Sequence, residues 1–196
     1  MKKFTLIFLL TIGCLAHAAD TEEVRLKISW SQDPKTEVYT NDQTGISFLK
    51  SIAGFEQIRA TPANQDGSAS FAYQSPHGII TVYLTHRLIC GLPGSDDCTS
   101  EFRDTYFQMM RKAHGKTDAE ELFGFSFARD GKKITGRGVT VHFVNSPMAR
   151  GPVYSEFGAV LVGDFLYYYR ASFPDKDGLK HLAAFLRAIG FERKST

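Results

Sequence analysis

One predicted strand limits the folds open to this chain more than any other feature, because its side chains are apolar on both faces. It runs from Phe165 to Phe173. One face carries Phe165, Tyr167, Tyr169, Ala171 and Phe173, and the other carries Leu166, Tyr168, Arg170 and Ser172. Residues 79–87 form a second predicted strand with apolar side chains on both faces. Strands of this kind are normally covered on both sides of the sheet.

Short turns between the later strands predict antiparallel pairing. Asp130-Gly131 separates strands predicted at 123–128 and 133–144, and Gly163-Asp164 separates strands predicted at 155–162 and 165–173. Both dipeptides suit tight hairpins. Weaker strands are predicted upstream at residues 24–30, 45–48, 55–60 and 68–73.

Two segments have the apolar spacing of amphipathic helices. The first begins at Thr99 or Ser100, either of which can cap it, and ends at Gly115. The second follows residues 174–177, where an aspartate is the expected N-cap, and ends at Gly190. We therefore expect an α+β fold, an antiparallel sheet of about six strands with one helix on each face. A two-layer sheet with one open face is the alternative.

The N-terminal residues have the pattern of a cleavable signal peptide. Lys2 and Lys3 precede an apolar stretch at residues 4–15, and small residues follow at Ala16, Ala18 and Ala19. A spanning helix needs about 20 apolar residues, so this run is too short, and no later run is longer. We expect cleavage after Ala18 or Ala19, no transmembrane segment in the mature chain, and a periplasmic or secreted protein.

The expected organisation is a signal peptide at 1–19, an N-terminal strand with a mobile segment at 20–44, and a single α+β domain at 45–196. One alternative concerns the N-terminus. Thr11-Ile12-Gly13-Cys14 partly resembles a lipobox, in which Cys14 would be lipidated and would anchor the protein to a membrane.

Cleavage leaves two cysteines, Cys90 and Cys98, on either side of a turn-forming segment, Gly91-Leu92-Pro93-Gly94-Ser95-Asp96-Asp97. Outside the cytoplasm such a pair predicts a disulfide. The spacing is wrong for a redox-active pair, which would have two residues between the cysteines.

The order of elements resembles the PsbP/Mog1-type α/β/α sandwich. Two phrases also resemble a group of uncharacterised exported bacterial proteins. They are Gly45-Ile46-Ser47-Phe48, with Ile52-Ala53-Gly54-Phe55 after it, and Tyr168-Tyr169-Arg170-Ala171-Ser172-Phe173-Pro174. The resemblance implies a three-layer sandwich and, by analogy, an accessory or adaptor role. It implies no catalytic residues, and a fold alone does not give a function.

Charge and motif searches exclude several function classes. Removing the leader lowers the 23 basic residues to 21, which equals the 21 acidic ones, so a nucleic-acid partner is not expected. No histidines are spaced as zinc ligands, and no G-x-S-x-G elbow is present, so neither a metal nor another cofactor is expected. Gly136-Arg137-Gly138 lacks phosphate-loop spacing and is interpreted as a bulge or a twisted strand start.

A possible ligand or partner surface comprises Tyr168, Arg170, His86 and His142. Tyr168, Arg170 and Ser172 share one strand face, and His86 and His142 lie on other strands. The favoured hypothesis is a non-enzymatic periplasmic accessory or binding protein, whose partner is an envelope protein or a small ligand. The alternatives are an envelope hydrolase with an unrecognised active site and a secreted factor that acts outside the cell.

Native mass spectrometry of the protein from its own envelope fraction tests the compartment prediction. We expect a chain that begins at Ala19 or Asp20 and is two hydrogens lighter than its reduced form, because Cys90 and Cys98 are joined. A chain that keeps residues 1–18, or that gains no mass on reduction, would contradict this prediction. Added lipid mass at Cys14 would support the lipoprotein alternative.

Overall fold

In the computed structural model, the described residues are 30–62, 68–86, 98–115, 117, 119–129, 132–146, 151–162 and 165–193. They contain twelve strands and two helices. The strands are β1 (Trp30–Gln32), β2 (Tyr39–Asn41), β3 (Ser47–Phe48), β4 (Ser51–Ile52), β5 (Phe55–Thr61), β6 (Ala69–Ser75), β7 (Gly78–His86), β8 (Ala119–Arg129), β9 (Lys132–Ser146), β10 (Gly151–Val162), β11 (Phe165–Phe173) and β12 (Phe191–Arg193). The helices are α1 (Cys98–His114) and α2 (Gly178–Ala188).

Nine of the described strands form one antiparallel sheet, in the order β12-β8-β9-β10-β11-β7-β6-β5-β4. The prediction of about six strands was therefore too low. The individual strand predictions cover seven of the nine, β5 to β11. The two that were missed, the two-residue β4 and the three-residue β12, lie at the two edges and are too short to show an alternating pattern. Hairpins join neighbours on each side, and the segment containing α1 connects β7 to the distant β8.

One face of the sheet is covered by α2. Leu182, Phe185 and Leu186 of this helix are buried against side chains from β5, β6, β7 and β11. Phe185 makes edge-on ring contacts with Phe55 and Tyr73, with centroids 5.6 and 5.0 Å apart. The β11 residues in this core are Phe165, Tyr167, Tyr169, Ala171 and Phe173, the larger face predicted from alternation.

The other face is covered by α1. Tyr106 and Met110 pack against Val139, Val141 and Phe143 of β9 and against β10 and Leu166. Tyr106 stacks on Phe157, with ring centroids 4.6 Å apart and planes inclined by 20°. The two helices therefore lie on opposite faces of the sheet, as the two-sided strand pattern predicted. Neither described helix is long and apolar enough to cross a membrane.

Residues 30–48 form a small sheet, β1-β2-β3, in a region where the sequence predicted a mobile segment up to residue 44. The ring centroids of Trp30 and Phe71 are 5.2 Å apart. The ring of Phe48 stacks on that of Phe71, with centroids 4.2 Å apart. A buried polar contact also fixes this layer. Thr44 Oγ1 donates a hydrogen bond to Asn41 Oδ1 at 2.6 Å and accepts one from the Tyr167 hydroxyl at 2.7 Å.

The start of α2 differs in one detail from the expected cap. Asp177 occupies the N-cap position, but its side chain makes no capping hydrogen bond. Its Oδ1 instead accepts from Lys180 Nζ at 2.8 Å. The amide of Gly178 donates to Asp175 Oδ1 at 3.1 Å, so the aspartate two positions earlier supplies the carboxylate.

Gly136 and Gly138 do not mark a bulge, which corrects the interpretation from sequence. The pairing of β9 with β8 runs through both residues without a shift, and the pairing of β9 with β10 includes Gly138 without a shift. Gly138 is instead needed for packing. A Cβ there would lie 2.3 Å from Phe123 Cζ and 2.7 Å from the carbonyl oxygen of Phe157.

We expect Gly138→Ala to lower the free energy of unfolding by about 1–3 kcal/mol, because Phe123 and the β10 backbone must move to admit the methyl group. Gly124→Ala is the matched control on the paired strand, since its nearest neighbouring atom would be 4.0 Å away. Urea unfolding of both variants checks this. Equal stabilities for the two variants would show that the close approach at Gly138 has no energetic weight.

Candidate functional site

The helix α1 covers only part of its face of the sheet. It packs mainly on β9 and β10 and touches β11 at Leu166 and Arg170, and β7 is the next strand beyond. On these two strands Tyr83, Tyr168 and Arg170 remain partly exposed, and Ser172 is exposed. We call Tyr83, Tyr106, Tyr168 and Arg170 the Arg170 surface. Two of the predicted residues, Tyr168 and Arg170, therefore lie together on one side of the sheet.

Tyr83 and Tyr168 form a stacked pair on the Arg170 surface. They are directly opposite each other in the β7–β11 register. Their ring centroids are 4.6 Å apart and their planes differ by 7°. Each ring is held by a neighbour on a rigid strand, so the pair offers a preformed aromatic contact area. The sequence analysis identified Tyr168 but not Tyr83, although both strands showed the two-sided pattern that places them on one face.

Arg170 is only partly exposed, and its charge is not neutralised by the described residues. Its guanidinium carbon lies 5.3 Å from the centre of the Tyr106 ring, a cation–π distance. Its Nε–H is buried without a hydrogen-bond partner. Within the described part of the chain no carboxylate forms an ion pair with it. A guanidinium that has lost solvent without gaining an anion is in an unfavourable environment, which an anionic ligand would improve.

A hydroxyl chain beneath Arg170 fixes the ring of Tyr106. Ser155 Oγ donates to the carbonyl oxygen of Ala171 at 3.1 Å. Ser155 Oγ therefore accepts a hydrogen bond from the Tyr106 hydroxyl, and the two oxygens are 2.7 Å apart. Burial raises the pKa of Tyr106, while the bond with Ser155 and the positive charge of Arg170 oppose the rise. Tyr106 consequently remains protonated near neutral pH and serves as a neutral platform for the guanidinium.

His114, at the C-terminal end of α1, is electrostatically coupled to Arg170. Burial lowers the pKa of His114, and the positive charge of Arg170 lowers it further. The imidazole lies 5.0 Å from the ring of Phe143. From the sequence, His114 had no visible link to β11, because the link arises only when α1 packs on the sheet.

The two predicted histidines do not join the Arg170 surface. His142 lies on the α2 face and stacks on Tyr154, with centroids 4.1 Å apart. His86 is the last residue of β7, and its side chain lies outside the described residues. His86 pairs with Phe165 at the start of β11. His142 pairs with Tyr154 of β10, and Tyr154 pairs with Phe173 at the end of β11. The two positions are therefore about 27 Å apart along the strands and do not meet.

A buried carboxylate on the α2 face is satisfied by hydroxyl groups. Glu156 Oε1 accepts from the Tyr169 hydroxyl at 2.7 Å, and its Oε2 accepts from Thr140 Oγ1 at 2.9 Å. Glu156 is 2% exposed. Because it is enclosed and hydrogen-bonded, this carboxylate stabilises the sheet rather than presenting a reactive group.

A second histidine pair, the metal prediction and the disulfide prediction remain to be placed in the structure. His77 and His181 stack, with centroids 3.7 Å apart, and so connect the β6–β7 turn to α2. In the described part of the chain no group of three or more His, Cys, Asp or Glu side chains is arranged to hold a metal ion. The predicted disulfide cannot be placed, since Cys90 and the side chain of Cys98 lie outside the described residues, as does Cys14.

Comparison with known proteins gives a partial PsbP-like resemblance. No protein-family model matches this chain, and neither does any curated protein. Among solved structures it is similar to the solution structure of cyanobacterial PsbP (CyanoP) from Synechocystis sp. PCC 6803, with 9% identity and a TM-score of 0.41. The match covers 85% of this chain and 92% of that chain.

We expect Arg170→Gln to raise the pKa of His114 towards its ordinary value of 6.5, because a neighbouring positive charge is removed. The rise will be partial, since burial of the ring remains. A lowered histidine pKa in the folded state means that the protein loses stability as pH falls below 6.5, and the variant should lose less.

Histidine ring signals followed by NMR through a pH titration measure this shift. Arg187→Gln is the control, because Arg187 is exposed on α2, on the other side of the sheet. An unchanged His114 titration in Arg170→Gln would show that the two side chains are not coupled.

Proposed function

We propose that this chain is an exported, non-enzymatic accessory or binding protein that holds a carboxylate of its ligand or partner at Arg170. The observation that carries this proposal is the partly buried guanidinium, whose Nε–H has no partner and which no described carboxylate neutralises. A planar guanidinium matches the two oxygens of a carboxylate in a bidentate contact.

The surroundings of Arg170 favour binding over catalysis. Burial raises the pKa of Tyr106, which keeps its hydroxyl protonated. Ser155 donates a hydrogen bond to the backbone carbonyl oxygen of Ala171. Neither hydroxyl is therefore arranged as an activated nucleophile, which would need an adjacent base. The stacked rings of Tyr83 and Tyr168 add an apolar contact area next to the charge. A charge beside aromatic rings on a fixed sheet is a typical recognition surface.

The proposal extends to the compartment and the finer fold. The N-terminal pattern of residues 1–19 supports export to the periplasm or the medium, and the Cys90/Cys98 spacing supports a disulfide. The helix on each face of the sheet supports a PsbP/Mog1-like three-layer sandwich. The partner is an envelope protein or a small ligand, and neither nucleic acid nor a cofactor is required.

Titration with acetate tests the anion site directly. In two-dimensional NMR spectra we expect saturable shifts of amides on β7 and β11, centred on Arg170. Arg170→Gln should weaken acetate binding about tenfold or more, because a charge-assisted bidentate contact is lost. Arg170→Lys should recover only part of the affinity, since an ammonium cannot form the planar two-bond contact.

Arg187→Gln is again the matched control, because it removes one positive charge from the opposite side of the sheet. Equal binding by Arg170→Gln and Arg187→Gln would show that acetate responds to net charge alone and would refute the site. Shifts confined to other strands would also refute it.

A further inference from the structure

A second arginine lies in the same cross-strand row as Arg170. In the sheet register Arg59 of β5 pairs with Ala72 of β6, Ala72 pairs with Thr81 of β7, and Thr81 pairs with Arg170 of β11. Residues paired in this way share one face of the sheet. The row therefore begins and ends with a guanidinium and has two short side chains between them.

The direction of Arg59 depends on a bulge in β5. The pairing with β6 shifts between Gln57 and Arg59. Gln57 bonds to the hydroxyl of Tyr73 on the α2 face. In a regular strand Gln57 and Arg59 would share that face, since they are two positions apart. The extra residue reverses the alternation and places Arg59 on the α1 face with Arg170, a role that bulges commonly have near binding sites.

Larger side chains stand on both sides of this row and make it a trough. Ala72 is buried at its floor and Thr81 is partly exposed beside it. In the neighbouring rows Tyr83 lies on one side and Ile79 on the other. Ile79, the second residue of β7 after the β6–β7 turn, is 46% exposed and leaves apolar surface available to a ligand.

The charges in the trough suit a ligand that is anionic at both ends. Arg59 is exposed, and in the described part of the chain it forms no ion pair. Glu56 is on the same face but in the next row, opposite Gln74. Three strand spacings separate the Cα atoms of Arg59 and Arg170, which is about 14 Å. Between the two arginines the row itself carries no charge. Tyr83 and Ile79 flank it on β7, and Ser70 and Gln74 flank it on β6.

We propose that this trough binds a linear dicarboxylate that lies across β5, β6, β7 and β11. One carboxylate contacts Arg59, the other contacts Arg170, and the hydrocarbon chain passes over Ala72 and Thr81 between Tyr83 and Ile79. The Arg170 end rests on the proposed function, whereas the Arg59 end, and therefore the length of the ligand, is new.

Isothermal titration calorimetry with a series of dicarboxylates from succinate to azelate tests this proposal. We expect affinity to pass through a maximum within the series, because the distance between the arginines is fixed by the sheet. The best dicarboxylate should bind about tenfold more tightly than the monocarboxylate of equal carbon number, since it gains a second charge-assisted contact.

Variants separate the two ends. Arg59→Gln should reduce the affinity of the best dicarboxylate to about that of the monocarboxylate of equal carbon number. Arg170→Gln should weaken both ligands, and Arg187→Gln should weaken neither. Arg59 is exposed, so its replacement should leave the fold intact, which circular dichroism verifies.

The binding results distinguish a failure of the dicarboxylate proposal from a failure of the proposed function. If monocarboxylates bind at Arg170 but dicarboxylates bind no better, or if Arg59→Gln has no effect, the dicarboxylate proposal is wrong and the proposed function stands. If neither class binds, both are wrong. Dicarboxylate binding that survives Arg170→Gln would place the anion site elsewhere and would also overturn both.

Discussion

The structure depends on covering both faces of β11. This strand buries Phe165, Tyr167, Tyr169, Ala171 and Phe173 on one side and Leu166 on the other. Apolar area removed from water stabilises a fold by about 25 cal/mol per Å², so neither face can be left open at low cost. The chain meets this requirement with α2 on one face and α1 on the other, and the strand order places β11 near the centre of the sheet.

The candidate site lies where this coverage ends. One helix of 17 residues cannot cover a nine-stranded sheet, and α1 packs mainly on β9 and β10 and reaches β11 at Leu166 and Arg170. Beyond it, the α1 face of β11 changes from the apolar Leu166 to Arg170 and Ser172. Arg170 is thus close enough to α1 to lose solvent against Tyr106, yet near enough to the open sheet to reach a ligand.

Much of this architecture could be predicted from the sequence, because it follows from local patterns. The bounds of β11 were predicted exactly, and those of α1 and α2 to within about two residues, since alternation, helical spacing and turn residues are all local signals. The edge strands β4 and β12 could not be predicted, because two or three residues are too few to show alternation, and β12 also depends on pairing with the distant β8. For the same reason Tyr168 and Arg170 were found from one strand, whereas Tyr83, Tyr106, His114 and Arg59 required the register and the position of α1.

Rigidity connects the fold to the proposed binding. Tyr169 and Ala171, the neighbours of Arg170, are each 1% exposed and fix this part of β11 against the core on the α2 face. The guanidinium rests on Tyr106, whose hydroxyl is held by Ser155. A ligand that contacts Arg170 therefore loses little affinity to ordering of the backbone or the Tyr106 ring. Arg59 is more exposed and follows a bulge, so a ligand must order its side chain. We infer that Arg170 supplies the larger share of affinity and Arg59 supplies discrimination by length.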